Sequence, residues 1–98
     1  MIRLLHILPS RAKGKRLTAV FRLPTGRTRS VHFGLAGGAT YVDHGRDSLR
    51  TAYLARHGAG RESWSDPMTP GSLARWILWG PEKNIAANTR AYRRRFGI

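Results

Sequence analysis

The chain has 98 residues, a length that allows one domain with a single core. Its 18 Lys and Arg against 5 Asp and Glu give a formal net charge of +13, which disfavours self-association and favours polyanionic partners. The sequence has no cysteine, and this excludes disulfides, thiolate metal sites and cysteine nucleophiles.

The basic residues are mostly arginine. Fifteen Arg accompany three Lys, and the planar guanidinium of Arg binds phosphate through two N–H groups and stacks on bases. Nucleic acid binding is therefore one explanation of the bias. A GC-rich genome, which would replace Lys by Arg, is another, and both stay open at this stage.

No segment of the sequence is typical of membrane insertion or export. No apolar run approaches the ~20 residues that a transmembrane helix needs. The apolar run at residues 4–8 is short and is followed at once by Pro9 and Arg11, unlike a signal peptide. We therefore expect a soluble, intracellular protein, or one packed inside an assembly, with no membrane partner.

The first third of the chain predicts β-structure. Residues 2–8 are mainly apolar and predict a first strand. Residues 17–23 and 29–33 alternate apolar and polar side chains around residues 24–27, where Pro24 and Gly26 are typical of a turn. We predict a β-hairpin that needs cover from other elements, because an isolated hairpin is marginal in water. Its apolar face carries Phe21, Leu23, Val31 and Phe33.

A basic segment at residues 11–16 precedes the hairpin. A charge density this high prevents packing and predicts an exposed loop or a mobile basic arm. A solvated turn and a phosphate contact are both open interpretations, and the hairpin tip offers two further cations. The candidates in these two segments are Arg11, Lys13, Lys15, Arg16, Arg27 and Arg29.

Helices follow the hairpin. Residues 34–40 are rich in glycine and alanine and predict a flexible connector, and residues 40–43 predict a further short strand. Asp47 predicts the N-cap of a helix over residues 48–57 that Gly58 and Gly60 end. Thr69 predicts the N-cap of a helix over residues 70–79, and Asn84 that of a helix reaching about residue 96.

The predicted fold class is α+β, a small antiparallel β-hairpin or meander followed by three short helices in a single basic domain over residues 1–98. The stretch of residues 53–78 and the Trp79 that directly follows it hold all three tryptophans within sixteen residues, and we expect this stretch to be the centre of the fold because large aromatic side chains bury the most area. Trp76 and Trp79 fit a buried helix face. Trp64 lies in a polar turn and is a candidate for a partner contact.

Several short blocks occur in a fixed order: Phe33-Gly34, Tyr53-Leu54-Ala55-Arg56-His57, Glu62-Ser63-Trp64, Asp66-Pro67-Met68-Thr69-Pro70-Gly71, Arg75-Trp76-Ile77-Leu78-Trp79 and Tyr92-Arg93-Arg94-Arg95-Phe96. Together they resemble a family of small basic proteins of unknown function encoded by large nucleocytoplasmic DNA viruses, the giant viruses and their algal relatives. The resemblance covers about two thirds of the chain. It implies a viral origin and no particular activity.

Catalytic chemistry has little support in the sequence. Asp43, His44 and Asp47 are close enough to suggest a divalent ion and a small nuclease, which stays the third hypothesis. The chain has only five carboxylates and no phosphate-binding glycine loop or nucleophile motif. We therefore expect a non-enzymatic protein with no catalytic residue, no metal and no cofactor.

Arg56 and His57 end the first predicted helix and allow two interpretations. They would form an anion clamp and contact a partner there. Alternatively, Arg56 lays its stem over the core and His57 interacts with the terminal carbonyl groups.

The C-terminal helix carries the strongest local signal for nucleic acid. Its predicted inner stripe is formed by Ile85, Thr89, Tyr92 and Phe96. Its predicted outer basic face is formed by Arg90, Arg93 and Arg94. The candidates for phosphate contact are Arg90, Arg93, Arg94 and Arg95.

We expect a protein that binds nucleic acid, DNA rather than RNA, through backbone phosphates with low sequence specificity. Together with the viral origin that the resemblance implies, this leads us to expect a virion- or genome-associated protein of a large DNA virus, located in the virion, the host nucleus or the viral factory. The alternative is a structural assembly component, such as a minor capsid, cement or ribosomal-type protein. In that role the charge would face an acidic neighbour, including other virion proteins.

Overall fold

The computed structural model describes residues 1–58 and 64–98. A three-stranded antiparallel sheet is followed by short helices that cover one of its faces, so the predicted α+β class is confirmed. The strands are β1 (Arg3–Pro9), β2 (Lys15–Arg22) and β3 (Thr28–Leu35). The helices are α1 (Tyr41–His44), α2 (Asp47–His57), α3 (Pro70–Leu73), which continues into a π-helical segment (Ala74–Leu78), and α4 (Ile85–Phe96). No helix in the described ranges is long and apolar enough to cross a membrane.

The sheet is a meander in the order β1-β2-β3. The turn between β2 and β3 forms as predicted, since Gly26 N donates to Leu23 O (2.9 Å) and Gly26 has the positive φ of 88° that glycine tolerates. Leu4 pairs with Phe21 and Pro9 pairs with Leu17, with an irregularity in β1 between Leu4 and His6. β1 is therefore a bulged edge strand that runs antiparallel to β2.

The core lies between the sheet and the helices, and Trp76 and Trp79 lie at its edge. Phe21 and Phe33 on the inner face of the sheet are fully buried, as the predicted hairpin face requires. The stretch predicted as the centre of the fold does contribute to the core through Leu73, Ile77 and Leu78, whereas Trp76 and Trp79 are half-buried and pack against it. An indole ring on a short helix at the surface of a small domain packs against the core rather than within it. The helices contribute Leu73, Ile77, Leu78 and Tyr92 to the core.

Side-chain caps begin the two C-terminal helical segments where the sequence places them. Thr69 Oγ1 accepts a hydrogen bond from Ser72 N (3.2 Å), and Asn84 Oδ1 accepts one from Ala87 N (2.9 Å). The segment over residues 70–79 is not one regular α-helix, because it widens into a π-turn after Leu73. Gly58 ends α2 as predicted, whereas Gly60 lies outside the described residues.

Two predictions between the sheet and α2 are wrong. Residues 40–43 are not a strand, because the Asp43 carboxylate accepts hydrogen bonds from Thr40 N and Thr40 Oγ1 (2.8 Å each) and starts α1. Asp47 is not an N-cap, because α2 begins at Asp47 itself and Arg46 is the N-cap. The Asp47 carboxylate instead accepts a hydrogen bond from the Tyr41 hydroxyl (2.6 Å).

Candidate nucleic-acid interface

The first basic segment is a short turn between β1 and β2. Ser10 N donates to Arg16 O (3.0 Å) across this turn, and Lys15 and Arg16 already belong to β2. Arg11, Lys13 and Lys15 are exposed. The segment predicted as a loop or arm is thus a hydrogen-bonded turn that holds three cations at one end of the sheet.

Arg16 is the exception in this segment. Its guanidinium binds both carboxylate oxygens of Asp43, with N···O distances of 2.7 and 2.8 Å, and Nη1 also donates to Thr40 Oγ1 (3.3 Å). The hydrogen bonds from Arg16 hold the pKa of Asp43 well below its usual range, and the same bonds raise the pKa of Arg16 against the cost of its burial. Arg16 therefore has an internal partner that occupies the N–H groups a phosphate would use.

A second group of cations lies at the opposite end of the sheet. Arg27 and Arg29 are exposed at the tip between β2 and β3. Arg3 and Arg22 are cross-strand partners and point to the face that the helices do not cover. Like charges placed opposite each other repel, and a bound anion would relieve this repulsion. Sequence reasoning missed this pair, because the alternation put Arg22 on the polar face but nothing local gave its register with β1.

α4 presents only part of its predicted basic face to solvent. Arg90 and Arg94 are exposed, as expected. Arg93 is half-buried, and its Nη2 donates to Leu4 O (3.2 Å) and Leu5 O (3.4 Å). The prediction that Arg93 belongs to the outer face is therefore corrected: its guanidinium packs on the edge of β1, where unpaired carbonyl groups attract a donor.

Arg95 and Arg75 stack on tryptophan rings: Arg95 on Trp76, and Arg75 on both Trp76 and Trp64. The Arg95 guanidinium lies 3.7 Å from the centre of the Trp76 ring, and that of Arg75 lies 4.0 Å from it and 5.2 Å from the Trp64 ring. Burial lowers the pKa of Arg75 to about 10, and the charges of Arg50 and Arg95 act in the same direction. Arg95 itself is exposed, so stacking fixes its plane and leaves its N–H edge to solvent.

α4 connects the two ends of the sheet. Its first residues line a depression with Arg16 and Asp43, beside the β1–β2 turn. Its last turn lies by the start of β1, where Leu4 N donates to Ile98 O (3.3 Å). Between these points Arg90 lines a groove between β1 and α4, which we call the β1–α4 groove, together with residues 5–9 of β1. Cations without a described carboxylate partner therefore lie at the β1–β2 turn, at Arg90 in the β1–α4 groove, and at the tip between β2 and β3.

Few of these charges are neutralised within the molecule. Residues 1–58 and 64–98 contain seventeen Lys and Arg, since Arg61 lies outside them. The Arg16–Asp43 pair is the one ion pair among the described residues, so the other sixteen have no described carboxylate within 4.0 Å. Sixteen cations therefore contribute to the external field of a domain whose Cα radius of gyration is 13.0 Å.

The three candidates for partner contact are not part of this arrangement. Arg56 is exposed at the end of α2, and His57 is half-buried with its ring 4.3 Å from that of Tyr53. Trp64 O accepts hydrogen bonds from Trp76 Nε1 (3.1 Å) and a serine hydroxyl, which ties Trp64 to the helical layer. Their contact with a partner stays a prediction.

The residues of the suggested nuclease site have other partners. Asp43 is bound by Arg16, and Asp47 is bound by the Tyr41 hydroxyl, whose pKa this hydrogen bond raises. His44 Nδ1 accepts a hydrogen bond from Arg46 N (2.9 Å), and its ring lies edge-on to Trp79. Nowhere in the described part of the chain do three His, Asp or Glu side chains converge in a way that would hold a metal ion.

Comparison with known proteins relates the chain to giant viruses. The model of a family of unknown function, DUF5754, matches residues 5–57, which include most of β1 and all of β2, β3, α1 and α2. A similar protein is the uncharacterized protein L851 of Acanthamoeba polyphaga mimivirus, 36% identical over 80 residues that cover 76% of this chain and 80% of the viral protein. The resemblance to giant-virus proteins is therefore confirmed. No solved structure matches the chain.

Proposed function

We propose a function for a chain that belongs to the DUF5754 family of unknown function: it binds nucleic acid through backbone phosphates, with low sequence specificity and without catalysis. The observation that supports this proposal is that sixteen of the seventeen Lys and Arg in residues 1–58 and 64–98 have no described carboxylate partner, and that thirteen of them are exposed. Among the described residues no element is arranged to read base edges, whereas a charge density of this kind is sufficient for non-specific binding.

The phosphate backbone would follow the edge of the molecule that β1 and α4 form. The exposed cations of the β1–β2 turn and those of the tip are separated by the eight residues of β2, roughly 26 Å at ~3.3 Å per residue. Arg90 lies in the β1–α4 groove between them. This distance corresponds to about eight steps of a duplex at ~3.4 Å each, so a duplex of that length would contact both ends at once.

Fluorescence anisotropy with labelled duplex DNA of random sequence tests the proposal. We expect affinity to fall about a thousandfold between 50 and 200 mM salt if six phosphates are contacted. Among duplexes of six, ten and fourteen base pairs, affinity should increase clearly from six to ten. Parallel titrations with single-stranded DNA and RNA establish the preferred nucleic acid. Absence of binding at 50 mM salt would refute the proposal and favour an acidic protein neighbour in an assembly.

The similarity to a viral protein supports a proposal about where the protein acts. We propose that the chain accompanies the genome of a large DNA virus, in the virion, the host nucleus or the viral factory. Fractionation of purified virions measures whether the protein separates with the genome or with the shell. Separation with the shell would contradict genome association and support a minor capsid or cement role.

A further inference from the structure

A cleft of about 740 Å³ lies where the end of β3, the C-terminal half of α2 and the start of α3 meet. This volume is within the range of about 300 to 1,000 Å³ that small-molecule sites occupy. Most of its lining is apolar, including Leu35, Pro70, Leu78 and the rings of Tyr53 and Trp79. Three separate segments of the chain form the cleft, and none of them belongs to the cationic edge along β1 and α4.

A column of aromatic rings forms one wall of this cleft. The rings of Tyr53 and Trp79 are stacked 4.2 Å apart at an angle of 5°, and the His57 ring lies 4.3 Å from the Tyr53 ring. Both faces of Tyr53 are therefore covered, and its contribution to the cleft is a ring edge. Ring edges carry partial positive charge and pack favourably against the face of another aromatic ring.

The polarity of the lining indicates the charge of a ligand. Arg56 lies at the rim and is exposed, and no carboxylate is among the described lining residues. Gly34 and Gly38 leave the backbone bare along the opposite side. At Gly34 a side chain is excluded, since its φ is +79° and a Cβ would lie 2.9 Å from Leu78 Cδ1. An apolar lining with a guanidinium at its rim suits a ligand with an apolar body and one negative group.

We propose that this cleft binds a small aromatic monoanion, with its ring against the edges of Tyr53 and Trp79 and its anionic group against Arg56. The site shares no residue with the proposed nucleic-acid interface. Its β3 wall lies beside the β1–β2 turn, since Leu35 pairs with Lys15, whereas the tip between β2 and β3 is at the other end of the sheet.

Amide NMR titration of the full chain with 1-naphthoate tests this inference. We expect saturable shifts at Gly34, Gly38 and Gly71, and much weaker shifts with the neutral 1-naphthamide. Arg56→Gln should weaken naphthoate binding roughly 10- to 100-fold, as the loss of a charge-assisted hydrogen bond implies. The matched control is Arg46→Gln, which removes an exposed arginine from the other end of α2 and should leave the affinity unchanged.

A second variant tests the cleft without changing charge. Ala39 is exposed at its mouth, so Ala39→Phe should fill the entrance and abolish the shifts while the rest of the spectrum is preserved. The inference is overturned if naphthoate gives no saturable shifts, if naphthamide binds equally, or if Arg46→Gln weakens binding as much as Arg56→Gln. Equal shifts at residues 25–27, in the tip between β2 and β3, would also overturn it, because they would show general attraction of anions.

Discussion

Asn88 occupies the space that a side chain on Gly80 would require. A Cβ on Gly80 would lie 2.7 Å from both Cγ and Oδ1 of Asn88. The fully buried Asn88 amide donates to Ile77 O and Glu82 O (2.8 Å each) and accepts from Glu82 N (2.9 Å). One side chain of α4 thereby replaces the hydrogen bonds that the backbone loses where the π-helical segment ends.

Asn88→Ala should be among the most destabilising single changes outside the apolar core. It leaves three backbone groups without their partner, and we expect a loss of about 3 kcal/mol in the free energy of unfolding, measured by urea denaturation. Asn84→Ala on the same helix removes only the exposed N-cap and should cost about 1 kcal/mol. Equal losses for the two variants would contradict the role assigned to Asn88.

Lys13→Gln and Arg16→Gln should separate nucleic-acid binding from stability. Lys13 is exposed without an ion-pair partner among the described residues, so its removal should weaken DNA binding and leave the unfolding free energy within about 0.5 kcal/mol. Arg16 is paired with Asp43, so Arg16→Gln should lower the free energy of unfolding by about 1 kcal/mol. It should weaken DNA binding less than Lys13→Gln does. Anisotropy and urea denaturation of both variants check this, and a larger loss of affinity in Arg16→Gln would contradict it.

Stability should depend on the ionisation of Asp43 in acid. Because the folded chain lowers the pKa of Asp43, its carboxylate stabilises the fold above the unfolded-state value of about 3.9 and loses this effect as pH falls towards the folded-state value. We expect Asp43→Asn to cost about 1 kcal/mol at neutral pH, a modest value because the pair is partly exposed. The difference from the parent should shrink progressively below about pH 4, as followed by thermal unfolding.

Asp66→Asn is the matched control for this pH dependence. Asp66 is exposed and forms no ion pair within the described residues, although it accepts a hydrogen bond from Met68 N (3.0 Å). Its substitution should leave the acid profile of the parent intact. An acid profile of Asp43→Asn that matches the parent would mean that the Arg16–Asp43 pair does not determine acid stability.

Tyr92 should contribute to stability loss in alkali. Its hydroxyl donates to Pro67 O (2.5 Å), and burial, with the negative charge of Asp66, raises the pKa of Tyr92 above its ordinary value of about 10. The effect is fully present below that value and is lost as pH rises, because the unfolded chain releases the phenolic proton first. Tyr92→Phe should cost about 1 kcal/mol at pH 7 and give a flatter profile between pH 9 and 11, by thermal unfolding. An unchanged alkaline slope would contradict this.

Local signals in the sequence predicted the features that depend on neighbouring residues. Pro24 and Gly26 fixed the hairpin turn, and Thr69 and Asn84 marked helix starts, since a turn or cap requires only a few adjacent residues. Residues 40–43 show where local reasoning fails, because the cap formed by Thr40 and Asp43 outweighs the strand propensity of the intervening residues.

Features of the candidate interface that depend on distant contacts escaped prediction. Arg16 and Asp43 are separated by 27 positions, and neither position alone distinguishes a paired arginine from a free one. The arrangement of Arg3 opposite Arg22 depends on the register between strands. The stacking of Arg95 on Trp76 depends on the packing of α4 against the π-helical segment. Composition thus predicted how many cations exist, and only the fold separates those with internal partners from those without.

The contact of Arg93 with β1 bears on the risk of aggregation that the proposed binding to a polyanion would create. Binding to a polyanion would cancel the repulsion that separates copies of this highly charged chain and would concentrate them side by side. Exposed strand edges then become templates for growth of intermolecular sheets. On the outer edge of β1, Leu4 N donates to Ile98 O, and Leu4 O accepts from the Arg93 guanidinium. Leu5 O accepts from the same guanidinium. On the proposed function, an arginine withdrawn from the charged surface would thereby block pairing with another chain at the start of β1 when the other arginines bind the polyanion.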